Sequence, residues 1–182
     1  MEGVTRHAEE LLAEVPDWIW NHRSLPVPIE DIADSHVGLL VRDVEDMTTA
    51  PGCPEVGADG SISGLLLAGD REIWVNAAEA REWPPRRRFT IGHELGHWFL
   101  HRDAQRSLFC RHGTVDPDGG VTAGRPPLDP IEEEANWFAA SLLMPADLVR
   151  RHYRRTGGDF DALCAIFNCS RAAMGRRLHQ VI

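Results

Sequence analysis

Apolar positions in the first third of the chain alternate between helical and strand spacing. The apolar residues near the start recur every three to four positions, which predicts a helix over about residues 5–19, interrupted by Pro16. After a proline-rich stretch, residues 29–33 predict a short helix and residues 37–41 a strand. The chain therefore begins with mixed helix and strand.

The next apolar runs predict a hairpin. Residues 61–67 and 72–76 are both rich in strand-forming residues, and the turn dipeptide Gly69-Asp70 lies between them. We expect these strands to form a small, mostly antiparallel sheet.

Helical patterns dominate the second half. Pro84-Pro85 suits the first turn of a helix that continues to about His101. Residues 110–130 are rich in Gly, Pro and Asp and predict a long surface loop, and residues 131–144 a second strong helix. The end of the chain predicts two or three short helices, broken at 157–158 and at 168–170. The predicted fold is α+β, with the sheet packed on the helix that follows Pro84.

Composition and charge refine this picture. With 43% hydrophobic and 26% charged residues among 182, the chain suits one soluble globular domain. The N-terminus offers no apolar run of signal-peptide or membrane-span length, so we expect a cytoplasmic protein without a membrane partner. The four cysteines form no C-x-x-C pair, which favours free thiols.

The charge divides the chain into two parts. Residues 146–182 carry about +4 and the remainder about −13, for a net charge of −9. We expect a main domain over 1–145 and a basic helical segment over 146–182 that packs on the same domain. Residues 161–181 also have the spacing of a helix-turn-helix, so nucleic-acid binding through them is a minor alternative to simple packing.

The helix from Pro84 to His101 carries the strongest chemical signal, His93-Glu94-Leu95-Gly96-His97. At about 100° per residue, the two histidines project from one face and can reach one metal ion. Glu94 lies beside them, where its carboxylate can accept a proton from a metal-activated water. This pattern is typical of zinc peptidases. Two hydrogen-bonded core histidines without a metal are the alternative.

A catalytic zinc needs a third protein ligand. The spacing of one large zinc-peptidase class requires Gly at position 100 and His at position 103, where this chain has Leu100 and Asp103. In the helix over 131–144, Glu132 falls within the apolar face, whereas its two acidic neighbours fall outside it. A carboxylate directed at the core is costly unless it is paired or bound to a metal, so we predict Glu132 as the third ligand.

Other roles compete for these positions. Asp129-Pro130-Ile131-Glu132 also fits a helix capping box, in which Glu132 would bond to backbone. His101, one turn after His97, is a rival ligand or an outer partner. Asn136, one turn after Glu132, is a candidate partner that orients a ligand.

The sequence resembles the ImmA/IrrE-type metallopeptidases of bacteria and their phages. The resemblance rests on residues 88–97 (RFTIGHELGH) with Leu100-His101, and on residues 132–145 (EEEANWFAASLLMP). It implies a small gluzincin-like α+β fold, zinc on His93, His97 and Glu132, and Glu94 as general base. It also implies a regulatory role, in which the protein substrate is a helix-turn-helix transcriptional repressor.

Two expectations complete the prediction. An oxyanion formed during peptide hydrolysis needs a further donor, for which Tyr153, His152 and His112 are candidates. The alternative to an endopeptidase is a binding module or toxin-antitoxin partner in which the metal only stabilises the fold.

Overall fold

A computed structural model describes residues 1–51, 53, 61–102, 108–113 and 129–182. Over these ranges the fold is α+β, as predicted. Its helices are α1 (Glu2–Glu14), α2 (Ile29–Asp31, continued by a π-helical turn, Ile32–Val37), α3 (Ala77–Glu82), α4 (Pro84–His101), α5 (Pro130–Leu143), α6 (Ala146–Thr156), α7 (Phe160–Phe167) and α8 (Arg171–Val181). Its strands are β1 (Leu40–Val44), β2 (Ser61–Leu67), β3 (Glu72–Asn76) and β4 (Leu108–Gly113), and a short 3-10 turn covers Met47–Thr49.

The four strands form one mixed sheet in the order β1-β3-β2-β4. The predicted hairpin is present as β2 and β3, which pair antiparallel, and β4 pairs antiparallel with the other side of β2. Only β1 runs parallel to its neighbour, β3. The sheet is therefore mostly antiparallel, as predicted, with one parallel edge pairing.

Helix α4 lies between the sheet and α5 at very short range. A Cβ built on Gly96 would lie 2.9 Å from the Cα of Ala135 in α5, and one built on Gly64 in β2 would lie 2.3 Å from the Thr90 side chain of α4. These distances leave no room for a side chain on either glycine. The missing side chains allow the backbones of α4, α5 and β2 to approach one another.

The hydrophobic core extends from the first helix to the last. It joins apolar residues of α1, the sheet, α4 and α5 to those of the C-terminal helices, including Leu163, Phe167, Met174 and Val181. Arg177 of α8 is 2% exposed, and its guanidinium donates to the Met144 carbonyl at 2.8 Å and to Ser141 Oγ at 3.2 Å. The basic segment thus packs against the end of α5.

Three of the predicted elements have other bounds in the structure. The strand placed over 37–41 is β1, Leu40–Val44, because Gly38 adopts a left-handed conformation that ends the preceding helical turn. The loop predicted over 110–130 is wrong at its start, where β4 covers Leu108–Gly113. This segment is a strand because it pairs with β2, and not because of its local sequence pattern. The remainder of that loop, 114–128, lies outside the described residues. The first helix ends at Glu14, before Pro16.

The predicted helices around the chemical motif match closely. Helix α4 has the predicted ends, α5 begins one residue early at Pro130, and the C-terminal breaks fall at 157–158 and 168–170. Helix α3 was not predicted, since it is short and capped mainly by Asn76. Among the described helices, none combines the length and apolar character that crossing a membrane requires.

Candidate metal centre

Helix α4 holds His93 and His97 in the protein interior. All residues from Thr90 to His97 are buried, so this part of the helix contacts protein on every side. The Nε2 atoms of the two histidines lie 3.0 Å apart, and their rings meet edge to face. The four-residue spacing thus has the predicted effect, since both rings point to one place.

Glu132 in the first turn of α5 completes a three-residue group. Its carboxylate oxygens lie 3.2 Å from Nε2 of His93 and 3.3 Å from Nε2 of His97. One donor atom from each of the three residues lies within 4.8 Å of the others. The capping-box alternative is only half realised, because Asp129 accepts from the Ile131 backbone N–H while the Glu132 carboxylate faces the histidines.

Hydrogen bonds behind the rings determine which nitrogen of each histidine faces the group. Nδ1 of His93 lies 3.1 Å from Asn136 Oδ1, so it carries the hydrogen and donates. Nε2 of His101 donates to Glu134 at 2.9 Å, which leaves Nδ1 of His101 to accept from Nδ1 of His97 at 3.2 Å. Both Nε2 atoms therefore present lone pairs to the group, the state that metal ligation requires.

Of these outer partners, Glu134 was missed by the sequence analysis. Its angle on α5 places it outside the apolar face, so periodicity gave no reason to pair it with a histidine of α4. The signal that could have found it is His101, since a histidine one turn beyond the motif needs its own acceptor.

Burial raises the pKa of the Glu132 carboxyl, whereas the imidazoles of His93 and His97, when they carry a proton on Nε2, lower it by more. The net effect holds the pKa of Glu132 well below its ordinary value. Glu132 is thus ionised near neutral pH and acts as an anionic donor. Its side chain retains 27% exposure, which leaves the group open to solvent on one side.

Glu94 occupies the side of α4 that faces the sheet and is fully buried. A Cβ built on Gly64 would lie 2.7 Å from Glu94 Oε1, so this carboxylate packs directly against the backbone of β2. Glu94 therefore follows the motif residue His93 along α4 and contacts β2, which pairs with the edge strand β4. The sequence offered one sign of this contact, a glycine in the middle of a predicted strand.

The remaining candidates lie on other elements. Tyr153 and His152 are on α6, where the Tyr153 ring packs against Gly158 and Nδ1 of His152 contacts Arg155. His112 lies in β4, whose side chains fall outside the structural description. None of the hydrogen bonds within the described residues links Tyr153 or His152 to the three-residue group.

The predicted helix-turn-helix segment does form two helices, α7 and α8, joined at Asn168 to Ser170. Arg177 is buried against α5, and Arg171 pairs with Asp161, which reduces the positive charge available to a nucleic acid. DNA binding through 161–181 stays a prediction.

The donor set fits a transition-metal ion. Two neutral imidazoles and one carboxylate converge, each histidine has an outer partner, and one side is open. This is the donor chemistry of catalytic zinc sites, which keep one position for water.

Comparison with protein-family models gives a match. The model of the IrrE N-terminal-like domain, a peptidase family designated M78, matches residues 69–179. The matched region covers more than half of the chain, from the hairpin through α4 and α5 into α8. No curated protein gives a significant match.

Proposed function

The chain belongs to the M78 peptidase family of IrrE N-terminal-like domains, and from this membership we propose that it is a zinc-dependent endopeptidase with a regulatory role. Its proposed substrate is a helix-turn-helix transcriptional repressor. The observation that carries the enzymatic part is the convergence of His93, His97 and Glu132, with Glu94 buried beside them.

The residues divide into ligands, base and supports. His93, His97 and Glu132 would hold the ion, while Asn136 and His101 fix the rings. When bound there, zinc supplies a Lewis acid that acidifies water and polarises a peptide carbonyl.

Glu94 performs the proton transfers. In its ionised form it accepts a proton from the attacking water, and it then donates that proton to the amine of the departing peptide fragment. Its position against β2 restricts the carboxylate to one side of α4. Because the base is already held close to the ligands, the reaction loses less entropy in bringing base and water together.

An extended substrate segment fits the edge of the sheet. The described strands leave two edges, β1 and β4, and β4 pairs with β2, the strand that Glu94 contacts. A peptide that added to the β4 edge would gain main-chain hydrogen bonds to β4, the strand that would separate it from β2. An open strand edge suits an endopeptidase, because its substrate continues on both sides of the cut.

The repressor as substrate is supported by the resemblance of the two motifs, 88–97 and 132–145, to the ImmA/IrrE-type enzymes. A coexpression assay with a repressor encoded beside this protein, combined with metal analysis, tests both parts. We expect cleavage of the repressor by the zinc-loaded protein, abolished by Glu94→Gln while zinc content is retained.

Glu133→Gln is the matched control, because Glu133 is exposed on the same helix as Glu132 and the substitution removes the same charge as Glu94→Gln. It should cleave like the unmodified protein. Intact cleavage by Glu94→Gln would contradict the mechanism. If that variant kept its biological function and changes in 146–182 abolished it, the binding-module alternative would be favoured.

A further inference from the structure

A second concave site lies away from the metal centre, between the loop before α2 and helices α6 and α7. The cavity measures about 560 Å³ and is lined by Arg23, Leu25, Pro26, Arg151, His152, Arg155, Ala165 and Ile166. None of these residues belongs to α4 or α5, which carry the metal centre. Its size falls within the range of small-molecule sites, about 300–1,000 Å³.

Three arginines give this cavity an uncompensated positive charge. Among the described residues, no carboxylate lies within ion-pair distance of Arg23, Arg151 or Arg155, whereas Arg150 on the same helix pairs with Asp147 at 3.2 Å. Arg151 and Arg155 are one helical turn apart, a spacing at which like charges repel. An anion between them would relieve this repulsion.

His152 forms a buried polar part of the wall. The Arg155 guanidinium donates to Nδ1 of His152 at 3.1 Å, so the ring is neutral and carries its hydrogen on Nε2. Burial, followed by the charges of Arg155 and Arg151, lowers the pKa of His152. The ring therefore serves as a fixed hydrogen-bonding group that keeps Arg155 in place.

The rest of the lining is apolar and comes from two different elements. Leu25 and Pro26 lie in the loop, and Ala165 and Ile166 in α7. A ligand that suits both parts has a compact anionic group for the guanidiniums and an apolar or aromatic group for this wall. Guanidiniums match phosphate oxygens well, because their planar N–H groups can donate in pairs.

We propose that this cavity binds a small phosphorylated ligand, with its phosphate between Arg23, Arg151 and Arg155 and its apolar portion against Leu25 and Ile166. The side chains of Arg23, Arg151 and Arg155 are exposed, so the charge lies at the mouth of the cavity. A duplex nucleic acid fits less well, since these three arginines surround one concave site rather than follow a continuous surface. The site is separate from the proposed peptidase centre, so a ligand there would act as an effector rather than as a substrate.

Calorimetric titration of the zinc-loaded full chain tests the proposal, with pyrophosphate and adenosine diphosphate as probes. We expect both to bind and to raise the midpoint of thermal unfolding, with the nucleotide tighter because it also covers the apolar wall. Loss of one charge-assisted bond in Arg151→Gln or Arg155→Gln should weaken binding about tenfold.

Arg154→Gln is the matched control. Arg154 is exposed on the same helix and lies outside the cavity lining, and its substitution removes the same charge. We expect its affinity to stay within about twofold of the unmodified chain. Glu132→Gln should also bind normally, which shows that the nucleotide does not occupy the metal centre.

Several outcomes would overturn the proposal. Neither probe binding at millimolar concentration would exclude the site. Equal weakening by Arg154→Gln would indicate diffuse attraction to the basic segment, and loss in Glu132→Gln would place the probe on the metal. Tighter binding of an acidic peptide than of either probe, with the same dependence on Arg151 and Arg155, would identify a protein-docking surface instead.

Discussion

The contact between α4 and α5 at Gly96 gives the sharpest test of how the fold positions the metal centre. In Gly96→Ala, the new methyl would lie 2.9 Å from the Cα and 3.1 Å from the carbonyl oxygen of Ala135. Both atoms belong to the backbone, so no side-chain rotation can relieve the clash. The helices must separate, and His97 on one helix must move relative to Glu132 on the other.

The net cost follows from two opposing effects. Overpacking a tight contact costs about 1–3 kcal/mol, while replacing glycine by alanine within a helix gains about 1 kcal/mol. Because the clash is with backbone, we take the upper part of that range and expect a net loss of about 1–2 kcal/mol in the free energy of unfolding. Zinc affinity should fall by about tenfold, the lower end of what disturbing ligand orientation costs.

Two other glycines provide a graded comparison. A methyl on Gly92 would lie 3.3 Å from the Ala139 side chain, a milder contact, and one on Gly3 in α1 would meet nothing within 4 Å. Urea unfolding of the metal-free protein should order stability as Gly3→Ala, then Gly92→Ala, then Gly96→Ala. Zinc competition with a chromophoric chelator measures affinity. If Gly96→Ala matched the unmodified chain in both assays, the close approach of the helices would not position the ligands.

Further predictions concern other parts of the fold. Arg177→Met should destabilise the chain by roughly 2–3 kcal/mol in urea unfolding, because it strands buried acceptors at the end of α5, whereas exposed Arg176→Met should be nearly neutral. The hydrogen bond from Arg87 lowers the pKa of Glu30, so the pair stabilises above the ordinary carboxyl pKa and loses this effect as pH falls through the lowered value. The stability difference between Arg87→Gln and the unmodified chain should therefore shrink in acid, and a constant difference would contradict this. Burial raises the pKa of Cys169 to about 12, so mass spectrometry at pH 8 should find its alkylation far slower than that of a free thiol; equal rates would show that Cys169 is not shielded.

The sequence alone predicted which side chains of α4 and α5 would face the centre. The spacing of His93 and His97 places two rings on one helical face whatever surrounds the helix, since that follows from 3.6 residues per turn. Likewise, the apolar periodicity of α5 singled out Glu132 among three consecutive acids, because only that carboxylate shared the buried face. The structure brings these three residues together.

The tertiary structure decided what local pattern does not encode. β4 exists because β2 offers it a hydrogen-bonding edge, and a segment whose composition predicts a loop can still pair there. The contact of Gly96 with Ala135, the bond from His101 to Glu134 and the gathering of Arg23 with Arg151 each join residues far apart in the chain. Sequence periodicity determines which face of its own helix or strand a residue occupies. Only tertiary packing determines which other helix or strand that face contacts.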